Sequence, residues 1–357
     1  MGKTKKEDLN QFLIAHLNTI YDTLQLFERT ASPTEEKVNW NDVLQMSDHL
    51  SKQATIVGML WNGGEAPKAE SLKETMESYF NALQGFLLCC HGSTVGAGST
   101  LSSLIHVSVK KIVDSSFRLL QGSVSLYEGS YEKDRKPSIP QLSGAVWEAC
   151  SSFKKVPATN ITAIGRAITQ VAVSMKDVLR EMKEVKPASP EVEEASGDNN
   201  NSDEDDDDLG NDLSPEEMEV AQMVAEIVSE TITVIKELIR VITGMIKLEN
   251  PKDSKSGFVD SLEKLLKLCK GTGDQIDEIG ACVYPPQEIA KMKQALKIIQ
   301  GNLGEVEAEV EGLKNSSEAL TGACRKLRSS MEHMEAELEK RCEDEVVAVM
   351  QNVTLGS

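Results

Sequence analysis

Cys90 and His91 set a nucleophile beside a base. A thiol and an imidazole can run acyl transfer when the ring reaches the sulfur. Residues adjacent on a helix point away from each other, so this pair is not read as a catalytic dyad. The other histidines are His16, His49, His106 and His333. No two of the five share metal-ligand spacing, and each is read as a satisfied or solvated ring. Cysteines stand at 89, 90, 150, 269, 282, 324 and 342. Their odd number and apolar helical neighbours fit a reducing compartment, not a disulfide framework or a zinc site. Gly96-Ala97-Gly98 opens like a dinucleotide loop. Leu101 stands where the third glycine belongs, and the segment before the loop reads as helix rather than strand. No GxxxxGK[ST], HExxH or GxSxG run occurs. The expectation is a non-enzymatic chain with no catalytic residue, no metal site and no cofactor.

What remains is binding and modification. Asp203, Glu204, Asp205 and Asp206 lead an acidic run that ends at Asp208 and are candidate contacts for a partner. Ser202 precedes Asp205 by three, the pattern an acidophilic kinase reads. Ser189-Pro190 and Ser214-Pro215 suit a proline-directed kinase, and phosphate at any of the three would add charge to an acidic neighbourhood. For Ser214 a helix-capping role is the better explanation. Leu262-Glu263-Lys264-Leu265-Leu266 matches LxxLL, a helix-in-groove docking pattern, but on an amphipathic helix that spacing reads as core.

These residues need elements to hold them, and composition favours helices. Hydrophobic residues make up 40% of 357, enough for real cores, while aromatics are only 4%. The net charge is −19, and no basic cluster forms the face that a nucleic-acid binder needs. Apolar runs are too short to span a bilayer, and no apolar stretch follows the N-terminal lysines, so no secretory signal is expected. Residues 187–214 hold eleven acidic side chains and no lysine, arginine or aromatic residue. Such a stretch has nothing to bury and repels itself, which predicts a disordered linker.

On either side the apolar period is helical. Leu9, Phe12, Leu13, His16, Leu17, Ile20, Leu24 and Phe27 mark a first helix. Ser32-Pro33-Thr34-Glu35 interrupts it, and further helices are expected over Val38–Trp61, from Pro67, over Ser99–Gln121, Leu142–Lys155 and Ala158–Val185. Beyond the linker, Ser214-Pro215-Glu216-Glu217 is a capping box with proline at the first helical position, opening a helix to about Leu248. Another spans Gly257–Ala281, ended by Tyr284-Pro285-Pro286. A seam then steps by three and four from Ile289 to Leu338 through Leu313, Ser317, Leu320 and Leu327. It fits either two bundle helices broken near Asn315, with Asn315 as N-cap, or one extended zipper able to dimerise. The first is preferred, because Gly301, Gly304, Gly312 and Gly322 weaken a continuous rod. In the zipper reading Leu313, Leu320 and Leu327 are candidate partner contacts. Nothing in the seam fixes an oligomeric state.

Several segments together resemble one family: Asn41–Leu60, Ala145-Val146-Trp147-Glu148-Ala149-Cys150, the acidic run, and Asp274–Ile279 leading into Val283-Tyr284-Pro285-Pro286. In order and spacing these are similar to the cyclin-D1-binding protein 1 family, also called Grap2 and cyclin-D-interacting proteins. The resemblance covers about residues 35 to 340. It implies an all-helical protein without catalytic activity, of helix-loop-helix type but lacking a basic region, that binds D-type cyclins, restrains the cell cycle, and acts in nucleus and cytoplasm; the expected partners are D-type cyclins or helix-loop-helix regulators. No residue set for cyclin binding carries over from it.

The resulting expectation is an all-α protein of two antiparallel helical bundles, about five helices each, joined by a disordered acidic linker. The modules are 1–186 and 214–345, with the linker at 187–213 and a tail at 346–357. The expected function is that of a protein-binding regulator of the cell cycle or transcription, without direct contact to nucleic acid or membrane. Two rivals compete with it: a cytoskeletal adaptor similar to vinculin and catenins, and an acidic chaperone for basic proteins.

Overall fold

The computed structural model describes residues 2–26, 36–62, 66–129, 137–185, 213–245, 256–314 and 317–355, with backbone alone for 2–7, 256 and 342–355. Ten helices and no sheet run through these residues. They are α1 (Gly2–Leu26), α2 (Trp40–Met59), α3 (Ala69–Ser93), α4 (Ser99–Glu128), α5 (Ile139–Phe153), α6 (Asn160–Glu184), α7 (Pro215–Gly244), α8 (Ser256–Cys282), α9 (Ile289–Gly312) and α10 (Glu318–Leu355).

Local chemistry sets the ends. Asn39 caps α2 by accepting the Asn41 N–H at 2.9 Å. Ser214 and Glu217 form the expected box at α7: the Ser214 N–H donates to Glu217 Oε2 at 2.9 Å, and the Glu217 N–H donates to Ser214 Oγ at 3.2 Å. Gly129 ends α4 in the left-handed region at φ 77°, which costs a glycine nothing. The seam breaks between α9 and α10, as preferred. Ser317 is the cap there, since α10 starts at Glu318 and the Leu320 N–H points at Ser317 Oγ, 3.4 Å away. Asn315, the expected cap, lies outside the described residues. Lys314 makes the turn with φ 53°. At the far end α10 continues to Leu355, through the segment expected to be a tail.

Packing groups the helices into two compact units, and the division falls between Ala163 and Ile164, inside α6. The first unit holds α1–α5. The second holds α6 from Ile164, then α7, α8 from Asp260, α9 and α10. This is the expected pair of helical bundles with about five helices each. The partition nevertheless differs from the boundary expected at residue 186, because α6 spends most of its apolar stripe on the later helices. Val171 and Val178 of α6 press against Gly273 and Gly280 of α8. A Cβ added at those glycines would lie 3.0 and 2.8 Å from the valine methyls. The acidic stretch expected to be disordered lies outside the described residues. It connects α6 to α7, two helices of the same unit.

Helix directions follow from pairs of contacts. In the first unit, Asp48, Thr55 and Gly58 of α2 meet Lys154, Trp147 and Ser143 of α5, so α2 and α5 are antiparallel. Phe12 and His16 of α1 meet Lys73 and Phe80 of α3 in the same order, so that pair is parallel. In the second unit, Glu219 and Glu230 of α7 meet Arg341 and Lys326 of α10, again antiparallel. Val171 and Val178 meet Gly273 and Gly280 in the same order, making α6 and α8 parallel. Each unit thus sets its first helix along its third and its second helix against its fifth.

Candidate partner-binding surfaces

Three of the cysteines are held in settings that suit no nucleophile. Cys90 is fully buried, and burial pushes its thiol well above its ordinary range, the reverse of what a nucleophile needs. Cys269 and Cys324 are pushed up to about 12, chiefly by burial. Among the described residues no three histidine, cysteine, aspartate or glutamate side chains cluster as metal ligands. The glycine loop after α3 is occupied by the chain itself. Asn160 reaches back from α6, its Oδ1 accepting from the Gly98 N–H at 2.8 Å and its Nδ2 donating to the Gly96 carbonyl at 2.9 Å. The Gly98 N–H is the kind of backbone donor that a phosphate loop would turn toward a ligand, and here it is taken. The closed cavity between α7, α8, α9 and α10 encloses about 20 Å³, the room of a single water.

The seam residues named as candidate contacts are placed differently from the zipper reading. Leu320 and Leu327 are buried with Cys324, Met331 and Met334 in the core of the second unit. Leu313 is half-buried at the α9–α10 turn. Periodicity is correct here, but the groups it brings together belong to one chain. A partner could reach Leu320 or Leu327 only if the helices parted. Ser214 is engaged as the α7 cap, so a phosphate there would have to displace that bond. Ser189, Ser202, Asp203, Glu204, Asp205 and Asp206 lie outside the described residues. Leu262, Leu265 and Leu266 of the LxxLL run are buried core, as expected.

The exposed apolar groups that sequence reading did not single out lie mainly on the first unit. Trp147 of α5 is 45% exposed, yet its indole N–H donates to Thr55 Oγ1 of α2 at 3.1 Å, which ties the ring to that helix. Met59, one turn beyond Thr55, is 64% exposed. Lys154 is paired with Asp48 at 2.7 Å on the same α2–α5 face. A pinned tryptophan beside a flexible methionine, edged by charge, has the composition of a protein-contact centre. Trp147 was legible only as a family landmark; its exposure depends on how α5 is rolled. On the other side of α2, an open groove of about 730 Å³ runs between α2 and α3, with His49, Glu74, Glu77 and Asn81 on its walls. Met46 and Ala82 add apolar surface to these walls, and the groove is open to solvent. Among the described residues no helix is long and apolar enough to cross a membrane.

Comparison with known proteins fits a chain of two helical units. A family model described as Grap2 and cyclin-D-interacting, N-terminal, matches residues 42–188. Its C-terminal counterpart matches residues 201–308. The two models divide at the acidic stretch, as the sequence does, whereas packing divides inside α6. A Xenopus laevis protein, cyclin-D1-binding protein 1 homolog, is 22% identical over 254 residues, covering 71% of this chain and 74% of its own length. With both halves matched in order, the chain belongs to the Grap2 and cyclin-D-interacting protein family.

Proposed function

We propose that this protein is a non-enzymatic regulator that binds a D-type cyclin and so restrains cell-cycle progression, working in both nucleus and cytoplasm. The observation that carries the reading is the match of both family models in order along the chain, over residues 42–188 and 201–308. The name of the Xenopus relative points to the same partner. The mechanism is sequestration: a bound cyclin is withheld from its other partners, and no bond is made or broken. The contact we favour is the α2–α5 face around Trp147, because its ring is already immobilised and loses little entropy on docking.

The test is calorimetric titration of the full-length chain with purified cyclin D1, with the Xenopus relative as positive control. Binding by both proteins, weakened at least tenfold by Trp147→Ala in this chain, is the expected result. Heat from the relative and none from this chain would end the proposal. Fractionation of cells expressing a tagged chain tests the two compartments, and an exclusively extranuclear signal would remove the nuclear part.

A further inference from the structure

A second surface, on the other unit, has a different chemistry. Near their C-terminal ends α6 and α8 leave a groove of about 430 Å³ lined by Val178, Glu181, Met182, Asp277, Ala281 and Tyr284. The parallel crossing explains it. Gly273 and Gly280 let the helices touch at Val171 and Val178, and the bulkier Tyr284 lies beyond the last contact. The floor is largely apolar, from the half-buried Val178 and the buried Met182. The rim is acidic, with Glu181 from one helix and Asp277 from the other, and Asp274 a turn before Asp277. Among the described residues no lysine or arginine is paired with any of the three carboxylates. Elsewhere in this unit acids do have such partners: Glu219, Glu230, Glu307 and Glu309 each meet a basic side chain. Burial first, then the charges of Asp274 and Glu181, push the Asp277 carboxyl above its ordinary value, and no cation offsets them. In sequence, α6 is followed by a run of eleven acidic side chains that begins at Glu191.

We infer that the α6–α8 groove docks a basic amphipathic helix of a partner protein, taking its leucine-type side chains on Val178 and Met182 and its lysines or arginines on Glu181 and Asp277. The apolar floor calls for apolar anchors and the unpaired rim for cations, and a basic amphipathic helix offers both at i, i+3 and i+4 spacing. An approaching cation would relieve the crowding of the three carboxylates, so charge complementarity selects the sign of the partner. The inference does not depend on cyclin binding, which is placed on the other unit.

The experiment uses the full-length chain and a fluorescent 18-residue peptide of leucine and lysine in helical amphipathic order, read by anisotropy at about 0.1 M salt. Two comparison peptides accompany it, one with serine for leucine and one with glutamate for lysine. The expected result is binding of the leucine–lysine peptide only. It should weaken at least tenfold in Glu181→Lys/Asp277→Lys and in Ala281→Arg, which fills the exposed edge of the groove. Circular dichroism confirms that both variants stay helical. A variant with Asp203 to Asp208 replaced by asparagine and glutamine should lose less than threefold. Equal binding of the serine–lysine peptide, or full affinity in both groove variants, would overturn the inference. So would loss of binding in the 203–208 variant alone, which would assign the peptide to the acidic run.

Discussion

The two units repeat one helix order and fasten it by different means. In the first, aromatic rings meet across helices: Phe153 of α5 lies 5.4 Å from Trp40 of α2 and 5.2 Å from Phe86 of α3. Tyr79 of α3, fully buried, donates to Ser116 of α4 at 2.8 Å. In the second, the core is aliphatic side chains, methionine and thiols, and the helices are stitched at their edges by ion pairs: Lys264 with Glu305 and Glu309, Arg328 with Glu307, Lys326 with Glu230, and Arg341 with Glu219. Aromatic contacts are indifferent to salt and pH, whereas exposed ion pairs weaken with both. The comparison teaches that the same topology can be specified by shape in one copy and by charge in the other. The charged copy is also the one whose groove has charge to offer a partner.

That contrast can be broken most forcefully at its aromatic centre. Phe153→Ala should cost about 3–5 kcal/mol, the usual loss for a buried ring. Hydrogen exchange should show the effect in α2, α3 and α5 while α7–α10 keep their protection. Uniform loss of protection would mean that the units do not unfold separately. Next comes the glycine seam of the second unit. Gly280→Ala gains about 1 kcal/mol of helix propensity but forces a methyl onto Val178, an overpacking cost of about 1–3 kcal/mol. Net destabilisation by urea titration is expected, with recovery in Gly280→Ala/Val178→Ala. Gly301→Ala, where a Cβ meets nothing within 4 Å, should instead stabilise by up to about 1 kcal/mol. Between these two in size, Ser214→Ala should remove about 1 kcal/mol by losing the α7 cap.

The smallest effects sharpen the role of charge. Lys264, then Ser261, hold the Glu309 carboxyl below its ordinary value of 4.5. Its folded value is the lower one, so its stabilisation is present above the ordinary carboxyl range and disappears as pH falls through the folded value. Asp277 has the opposite sign: its carboxyl is raised, so it costs stability above that raised value and the cost vanishes in acid. Thermal midpoints from pH 7 to pH 3 should therefore show Glu309→Gln below the parent at neutral pH and level with it in acid. Asp277→Asn should lie above the parent at neutral pH and converge from the other side. Identical profiles for the two variants would mean that neither carboxyl is perturbed as described.

Much of this architecture was legible in the sequence, for reasons that are local. The Ser214 capping box, the breaking prolines after Tyr284 and the interruption of the seam near Asn315 are all events within a few residues, and each has a helix end to show for it. What was not legible is which faces meet. The apolar stripe of α6 declares that a face is buried but not against what. Val171 and Gly273 stand 102 positions apart in the chain, and no periodicity links them. The same ambiguity made Leu320 and Leu327 fit an intermolecular zipper as well as a core, because a heptad reads alike from inside one chain or between two. Asn160 gave no warning that it would clamp Gly96 and Gly98, a pairing across a whole helical hairpin. The α6–α8 groove exists only once the two helices are crossed, so no motif announced it.

The placement of α6 also changes how the chain can be taken apart. Cutting at the acidic run, the obvious seam, gives a front piece that carries away the first helix of the rear unit and a rear piece with Gly273 and Gly280 laid bare. The two fragments would then be complementary parts of one fold rather than two free domains. A protease that severs residues 203–208 should leave a nicked protein whose pieces elute together, and a front fragment added in trans should restore a rear fragment expressed alone. A clean dissection belongs between Ala163 and Ile164, inside the first turn of α6.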